Sequence, residues 1–353
     1  MARLAFILLV LTVVGIGALY FMDTHFVISE DEAIQRDLRA HATSQDLDKH
    51  VSDAITRDDI DDANVYAEIA SWMGRSLSAE TQKRLDAANS PAATAVRNAG
   101  QFATGFVTGE GGLSMAGLAG AVASDVTVVG DVRDIAGEGS KMVQGKDYSE
   151  LVLGLSVVGV AATVATVATG GGGVVAKLGV SILKVAKRAG TLTLDFARTL
   201  TRLTRTAVNG PELARVLKGV DLTDLRATER AVSEYARTVR GAEIFPVLGK
   251  LADISRAAGP AEAVRLLKYV RSTKDLDDIA AMSARLGKKT RGVVELTGKT
   301  ALRFFKTSLN IFEFIIEKIV WFIGWLAGLL GMSATKRVFR GARTARVPSG
   351  GLR

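Results

Sequence analysis

Residues 151–183 read LVLGLSVVGVAATVATVATGGGGVVAKLGVSIL, and this stretch decides how the rest of the chain is interpreted. It holds no charged residue from Leu151 to Ala176. A transmembrane helix needs roughly 20 mostly apolar residues, so the stretch is long enough to cross a bilayer. The sequence therefore predicts an all-α membrane protein that is organised around a central apolar span or hairpin.

The net charge changes sign across this stretch. Residues 22–150 hold 11 Lys and Arg against 22 Asp and Glu, whereas residues 187–310 hold 24 against 13. Lys and Arg accumulate on the cytoplasmic side of membrane segments. The pattern therefore predicts that residues 184–306 are cytoplasmic and that residues 23–150 lie outside. The chain has no Cys, which excludes disulfides and thiolate metal sites.

The central stretch itself has three interpretations. The first is a single span over residues 151–170, ended by the four glycines 170–173. The second is a hairpin with these glycines at its tip and residues 174–183 returning. The single span is favoured, because the second arm is short and carries Lys177. In the third interpretation, everything after residue 22 is a periplasmic domain, and residues 151–176 form a buried core helix.

The N-terminal segment, residues 1–22, reads MARLAFILLVLTVVGIGALYFM. It is either a signal peptide or a retained transmembrane anchor. A cleavage site needs small residues at positions −3 and −1, and the best pair, Gly15 and Gly17, precedes bulky residues at 20–22. A retained anchor is therefore favoured. Arg3 before it and acids after it place the N-terminus in the cytoplasm, at a bacterial inner membrane.

Two segments separate this anchor from the central stretch. Residues 23–98 are acidic and predicted to be helical, with a cluster of four Asp at 58–62. The cluster lacks the Gly and Glu of an EF-hand loop, so a helix N-terminus is expected there. Residues 99–150 are rich in Gly and Ala. Small residues at four-residue spacing allow helices to approach closely, which permits a homo-oligomer without requiring one.

Within the second of these segments, residues 128–134 read VVGDVRD and residues 145–147 read GKD. This stretch of about 128–147 resembles the pre-toxin segment of bacterial polymorphic toxins. The resemblance covers about 20 of the 353 residues. It implies a membrane-active or secretion-related context, and it carries over no catalytic residue.

The basic region, residues 184–306, is predicted to be helical from its periodicity. Phe196, Leu200, Leu203 and Ala207 follow the spacing of one helix face. Gly-Pro at 210–211 and again at 259–260 opens two similar stretches, which form a weak internal repeat. Such a repeat indicates duplicated helical hairpins packed as a small solenoid or bundle.

Cations at the start of this region form a predicted basic stripe beside the membrane. Three interpretations are open for it: anionic lipid headgroups, an ordinary solvated face, and nucleic acid. Nucleic acid is disfavoured because aromatic residues that could stack on bases are few and dispersed. The candidate lipid-binding residues are Lys184, Lys187, Arg188, Arg198, Arg202 and Arg205.

The last apolar segment, within residues 307–332, is predicted to be an amphipathic or re-entrant membrane helix. Trp321 and Trp325 suit a headgroup boundary. The tail, residues 333–353, holds six Lys and Arg and no acid. A spanning helix would place this basic tail outside, against the charge rule, although spanning and a soluble core helix remain alternatives.

No stretch of the sequence indicates a reaction. The Gly-Lys-Thr at 298–300 follows the preceding glycine at a spacing one residue too long for a phosphate loop. Gly171 and Gly173 fit a dinucleotide fingerprint, but the apolar run before them is too long for a strand. Ser181 and Lys184 match a serine-lysine dyad by spacing alone. His41 and His50 are nine residues apart, which is not the spacing of metal ligands on one helix.

The sequence therefore predicts a non-enzymatic integral membrane protein with a structural or interaction role and no cofactor or metal. Its basic helical region is expected to bind anionic lipid or an acidic partner. The alternative is a membrane-perturbing or pore-forming protein that inserts residues 99–130 together with residues 151–183.

Overall fold

The structure, a computed structural model, describes residues 30–97, 119–123, 128–169, 173–298 and Trp321. These residues form an all-α fold, and no strand occurs among them. The chain divides into two units, Met1–Leu302 and Arg303–Arg353, and every helix described below belongs to the first. The predicted anchor 1–22, the tail 333–353 and, apart from Trp321, the predicted membrane helix 307–332 lie outside the described residues.

Four helices form the N-terminal group: α1 Glu30–His41, α2 Ser44–Thr56, α3 Ile60–Trp72 and α4 Ala79–Ala88. Side chains cap three of them. Thr43 forms a capping box with Asp46 at α2, and Ser78 caps α4. The helix N-terminus that was predicted at the acidic cluster is confirmed, since Asp59 caps α3 by accepting a hydrogen bond of 3.2 Å from the backbone N–H of Asp62.

Three helices form the centre of the fold: α5 Val128–Val143, α6 Glu150–Thr169 and α7 Gly173–Arg188. Helix α6 has no charged residue after Glu150, and residues 153–162 are all buried. A helix that is apolar on every side must be covered on every side. Helices α5 and α7 pack against α6 and supply much of this cover.

Seven further helices follow: α8 Leu194–Ala207, α9 Gly210–Lys218, α10 Leu225–Ala236, α11 Ile244–Ala258, α12 Pro260–Leu266, α13 Thr273–Leu286 and α14 Lys289–Thr297. The predicted apolar face of α8 is confirmed, because Phe196, Leu200, Leu203 and Ala207 are all buried. Helices α8 and α10 pack on α6, α11 and α12 pack on α7, and α13 packs on α11. The hairpin α6–α7 is therefore enclosed by amphipathic helices.

The structure differs from the single central span that the sequence favoured. None of the described helices has both the length and the apolar character needed to cross a membrane. The stretch forms two helices that pack against each other, and α7 buries Lys177 and Lys184 on its inner side. Gly173 makes this hairpin possible, because a Cβ there would lie 2.8 Å from the backbone carbonyl carbon of Ala162.

The N-terminal helices contact the C-terminal ones directly. Helix α14 packs against α1 and α3, and it also contacts α12. The sequence placed residues 23–150 and 184–306 on opposite sides of a membrane. In this fold, helices from the two segments pack against each other and are joined by hydrogen-bonded ion pairs. The sequence alone did not indicate these ion pairs, because their partners are more than 200 residues apart.

The Gly-Pro repeat opens a helix in both copies, as predicted. Proline stands in the first turn of α9 and of α12, where its missing N–H costs no hydrogen bond. The surroundings of the two copies differ, however. Helix α9 packs against α10 and α5, whereas α12 packs against α7, α11 and α14. The repeat is therefore a local similarity of helix starts rather than a pair of equivalent hairpins.

Candidate functional site

The fold divides the predicted basic stripe into cations that are buried, cations that form ion pairs at the surface, and cations that form no ion pair among the described residues. Lys184 is 1% exposed, so its ammonium group cannot reach a lipid headgroup in this structure. Arg188 bonds to Asp134 at 3.1 Å, and Arg198 lies 3.4 Å from Asp195. Lys184 was counted with the surface cations because its sequence position is next to theirs, but its helix face points inward.

The buried member of the stripe belongs to an ionic cluster between α5 and α7, which we call the Asp131 cluster. The carboxylate of Asp131 is fully buried and accepts hydrogen bonds from Lys177 and, at 2.8 Å, from Lys184. Lys184 also lies 2.6 Å from Asp134. Burial raises the pKa of Asp131, although the ammonium groups of Lys184 and Lys177 act in the opposite direction. The cluster satisfies charges that would otherwise be isolated inside the hairpin.

Residues 187–218 hold seven Lys and Arg against two acids. Four of these cations are exposed and form no ion pair among the described residues. We call them the basic face; its members are Lys187, Arg202, Arg215 and Lys218. Lys187 and Arg202 were among the predicted lipid-binding residues. Arg215 and Lys218 were not, although their i, i+3 spacing on α9 could have indicated them.

Arg205 is the one member of the predicted stripe that takes part in a concave site. Its guanidinium forms a two-point ion pair with the carboxylate of Glu150, at the N-terminus of α6. The hydrogen bonds from Arg205 lower the pKa of Glu150. The side chains are 68% and 38% exposed respectively, so this pair lies at the surface. It stands at the mouth of a cleft.

This cleft has a volume of about 320 Å³ and lies between α6, α8 and the start of α9. Its floor is formed by buried residues, which are Leu153, Gly154, Thr204, Val208 and Leu213. Its rim is polar or exposed and includes Tyr148, Glu150, Arg205 and Pro211. The arrangement is an apolar floor under a charged mouth. Sequence analysis missed it because its walls come from segments about 50 residues apart.

A second ionic cluster, the Arg291 cluster, joins the N-terminal helices to α12 and α14. The guanidinium of Arg291 donates to Glu262 at 2.9 Å, to Glu295 at 2.9 Å and to Asp62. Arg265 pairs with Asp59 beside it. The carboxylates that surround Arg291 are mostly buried, which makes each of them dependent on its cationic partner.

The pKa values within the Arg291 cluster shift in opposite directions. Burial raises the pKa of Glu262 and of Asp59, with Arg291 and Arg265 respectively acting against it. Burial acts to raise the pKa of Glu295 too, but Arg291 and hydrogen bonds from Lys268 and Tyr66 lower it to about 2. Burial and the charge of Glu295 raise the pKa of Tyr66. Glu295 is therefore the member whose negative charge the fold stabilises most.

The remaining sequence-derived candidates occupy ordinary positions. Trp321 is exposed, and Trp325 lies outside the described residues. The ring of His50 stacks on Tyr66 at 4.6 Å. No group of three His, Asp or Glu side chains within the described ranges has an arrangement that could hold a metal ion. Gly298 follows α14 with a positive φ of 63°, as is common for a glycine at a helix C-terminus.

Comparison of the chain with protein-family models, with curated proteins and with solved structures gives no match. The function is therefore inferred from the sites described above.

Proposed function

We propose that the protein is a non-enzymatic, membrane-associated scaffold of a bacterial inner membrane and that its basic face binds anionic lipid. The observation that supports this most is the state of the cations in residues 187–218. Lys187, Arg202, Arg215 and Lys218 are exposed and lack an ion-pair partner among the described residues. Cations with a structural role in this fold, such as Lys184 and Arg291, are buried and paired.

The energetics favour a lipid surface over a single small anion. Each Lys or Arg near an anionic membrane contributes about 1 kcal/mol, and the attraction falls off within a Debye length of about 10 Å at 0.1 M salt. Four exposed cations on the consecutive helices α7, α8 and α9 would give a salt-sensitive attachment rather than a specific pocket. The predicted apolar segments 1–22 and 307–332 would hold the chain at the bilayer, on which the basic face would then act.

The test is flotation of the full chain with vesicles of phosphatidylcholine, with or without an equal part of phosphatidylglycerol. The measured quantity is the increase in floated protein that phosphatidylglycerol causes, since the apolar segments can attach the chain to either vesicle. We expect the triple variant Lys187→Gln, Arg215→Gln, Lys218→Gln to lose this increase. The control variant Arg36→Gln, Lys49→Gln, Lys83→Gln removes the same charge from exposed positions on α1, α2 and α4 and should retain it.

Absence of any increase with phosphatidylglycerol would contradict the proposal, as would an equal loss in both variants. Retention of the full chain on an acidic polymer, without a phosphatidylglycerol effect, would instead favour an acidic macromolecular partner. Raised salt should weaken the phosphatidylglycerol effect in the unmodified chain.

A second candidate function is membrane perturbation, and the enclosed hairpin α6–α7 favours it. The most apolar segment of the described chain lies under amphipathic helices, so that opening of these helices would expose an apolar hairpin. Release of a dye from vesicles of phosphatidylcholine and phosphatidylglycerol would distinguish the two functions, because a scaffold leaves the vesicles sealed. The resemblance of residues 128–147 to a pre-toxin segment is compatible with this second function.

A further inference from the structure

The cleft beside Arg205 has the composition of a small-ligand site. Ligand pockets are mostly apolar with a few polar groups that orient the ligand, and they span roughly 300–1,000 Å³. The cleft, at about 320 Å³, is at the small end of this range. Of its floor residues, Leu153, Val208 and Leu213 are apolar, and the hydroxyl of Thr204 already donates to the backbone carbonyl of Thr201. A cleft of this size has room for one apolar chain.

The ion pair at the mouth can open at little cost. Surface ion pairs contribute little to stability, because water replaces the lost contact. Glu150 lies in the first turn of α6, where the helix dipole favours its negative charge after the pair has opened. The guanidinium of Arg205 would then be free to bind a carboxylate or phosphate with two parallel hydrogen bonds.

The charges around the mouth favour an anion over a cation. Arg202 precedes Arg205 by three residues on α8, so the two occupy neighbouring positions on the helix surface. Arg202 has no ion-pair partner among the described residues, so the mouth keeps two guanidinium groups against the one carboxylate of Glu150 when Arg205 binds a ligand. An incoming anion therefore meets the guanidinium of Arg202 and that of Arg205, which exchanges Glu150 for the anion.

We propose that the cleft binds a single-chain anionic amphiphile, with its apolar chain on the floor and its carboxylate or phosphate at Arg205. This deepens the proposed function, on which it rests for the choice of lipid as the ligand class. The basic face would attach the protein to the surface of an anionic membrane. The cleft would take up one chain from such a surface or from solution.

The experiment uses the full chain and decanoate that carries a diazirine at the end of its chain. After photolysis, mass spectrometry locates the label. We expect labelled peptides around Leu153 and Val208, and competition by decanoate or decyl phosphate but not by decyltrimethylammonium. Stronger competition by one of the two anions would identify the carboxylate or the phosphate as the natural headgroup.

Variants at the floor and the mouth separate binding from adventitious contact. Gly210 lines the cleft, and a Cβ there meets no atom within 4 Å, so the position accepts a side chain. We expect Gly210→Phe to abolish labelling by occupying the cleft, while Gly210→Ala retains it. Arg205→Gln should weaken competition by decanoate at least about tenfold, since it removes charge-assisted hydrogen bonds. It should leave competition by decanol unchanged.

The outcome is distinguishable from failure of the proposed function. The triple variant of Lys187, Arg215 and Lys218 should lose the phosphatidylglycerol effect in flotation and still be labelled in the cleft. Label that spreads over the chain, label that persists in Gly210→Phe, or equal competition by decyltrimethylammonium would overturn the proposal.

Discussion

Gly159 and Asp131 face each other where α6 crosses α5, and a Cβ at Gly159 would lie 2.8 Å from the carboxyl carbon of Asp131. Helix α6, the most apolar of the described helices, therefore lacks a side chain at the position where the carboxylate of Asp131 packs against it. That carboxylate in turn binds Lys177 and Lys184. The buried charges of the Asp131 cluster therefore depend on the absence of a side chain at Gly159.

We expect Gly159→Ala to destabilise the fold by about 1–3 kcal/mol, because overpacking forces neighbours away from their preferred positions. In an exposed helix the same change would be favourable by roughly 1 kcal/mol. Gly137→Ala on α5 is the matched control, since a Cβ there meets no atom within 4 Å, and it should stabilise the protein. Urea unfolding followed by circular dichroism measures both. Equal signs for the two variants would contradict this account.

We expect Asp131→Asn to cost about 3–5 kcal/mol of unfolding free energy, because it leaves the buried ammonium groups of Lys177 and Lys184 without their shared partner. Adding Lys177→Met should recover part of this loss, since an apolar residue replaces an uncompensated charge. Asp253→Asn breaks an exposed pair with Arg256 and should cost less than about 1 kcal/mol. Failure of Lys177→Met to recover any stability in the Asp131→Asn background would argue against a charge effect.

We expect Arg291→Met to release the N-terminal helices, because Asp62, Glu262 and Glu295 lose the cation that they share. The loss should be about 3–5 kcal/mol, and hydrogen exchange should rise first in α2 and α3. The control is Lys289→Met on the same helix, whose partner Glu68 is 56% exposed. It should change exchange little. A uniform rise over all helices in Arg291→Met would show that the cluster supports the whole fold rather than this contact.

We expect the stabilising effect of Glu295 to depend on pH. Its pKa is lowered from 4.5 to about 2, so its stabilisation is complete above pH 4.5 and is lost as the pH falls towards 2. The unfolding free energies of the unmodified chain and of Glu295→Gln should therefore differ most at neutral pH, by on the order of 3 kcal/mol. The difference should shrink between pH 4.5 and pH 2.

The unmodified chain must be compared with Glu295→Gln, because the ionisation of Glu262 changes the unfolding free energy in the opposite direction to that of Glu295. Its pKa is raised by burial, so protonation of this group favours the folded state as the pH falls. The unfolding free energy of the unmodified chain includes the pH-dependent contributions of both groups. Its difference from that of Glu295→Gln isolates the contribution of Glu295. A difference that does not change between pH 7 and pH 2.5 would contradict the role given to the charge of Glu295.

Local sequence determined most of the helices and their ends. The i, i+4 spacing of Phe196 and Leu200 predicted the buried face of α8, because helix periodicity depends only on neighbouring residues. The acidic cluster predicted the start of α3, since a cap and its N–H group are two or three residues apart. Of the predicted basic stripe, Lys187 and Arg202 are exposed and Lys184 is buried, while the binding of lipid stays a prediction.

Tertiary structure alone decided whether the apolar stretch 151–183 is a span or the enclosed core of a bundle. An apolar stretch has the same composition in both cases. A span is surrounded by lipid, whereas a core helix is surrounded by other helices of the protein. Here the partner of Lys184 is Asp131, 53 residues earlier, and the partner of Arg291 is Asp62, 229 residues earlier. Such pairs depend on how helices pack, which local periodicity does not encode. The sequence by itself thus determined the helices, and only the packing determined which of their charges are buried and which form a surface.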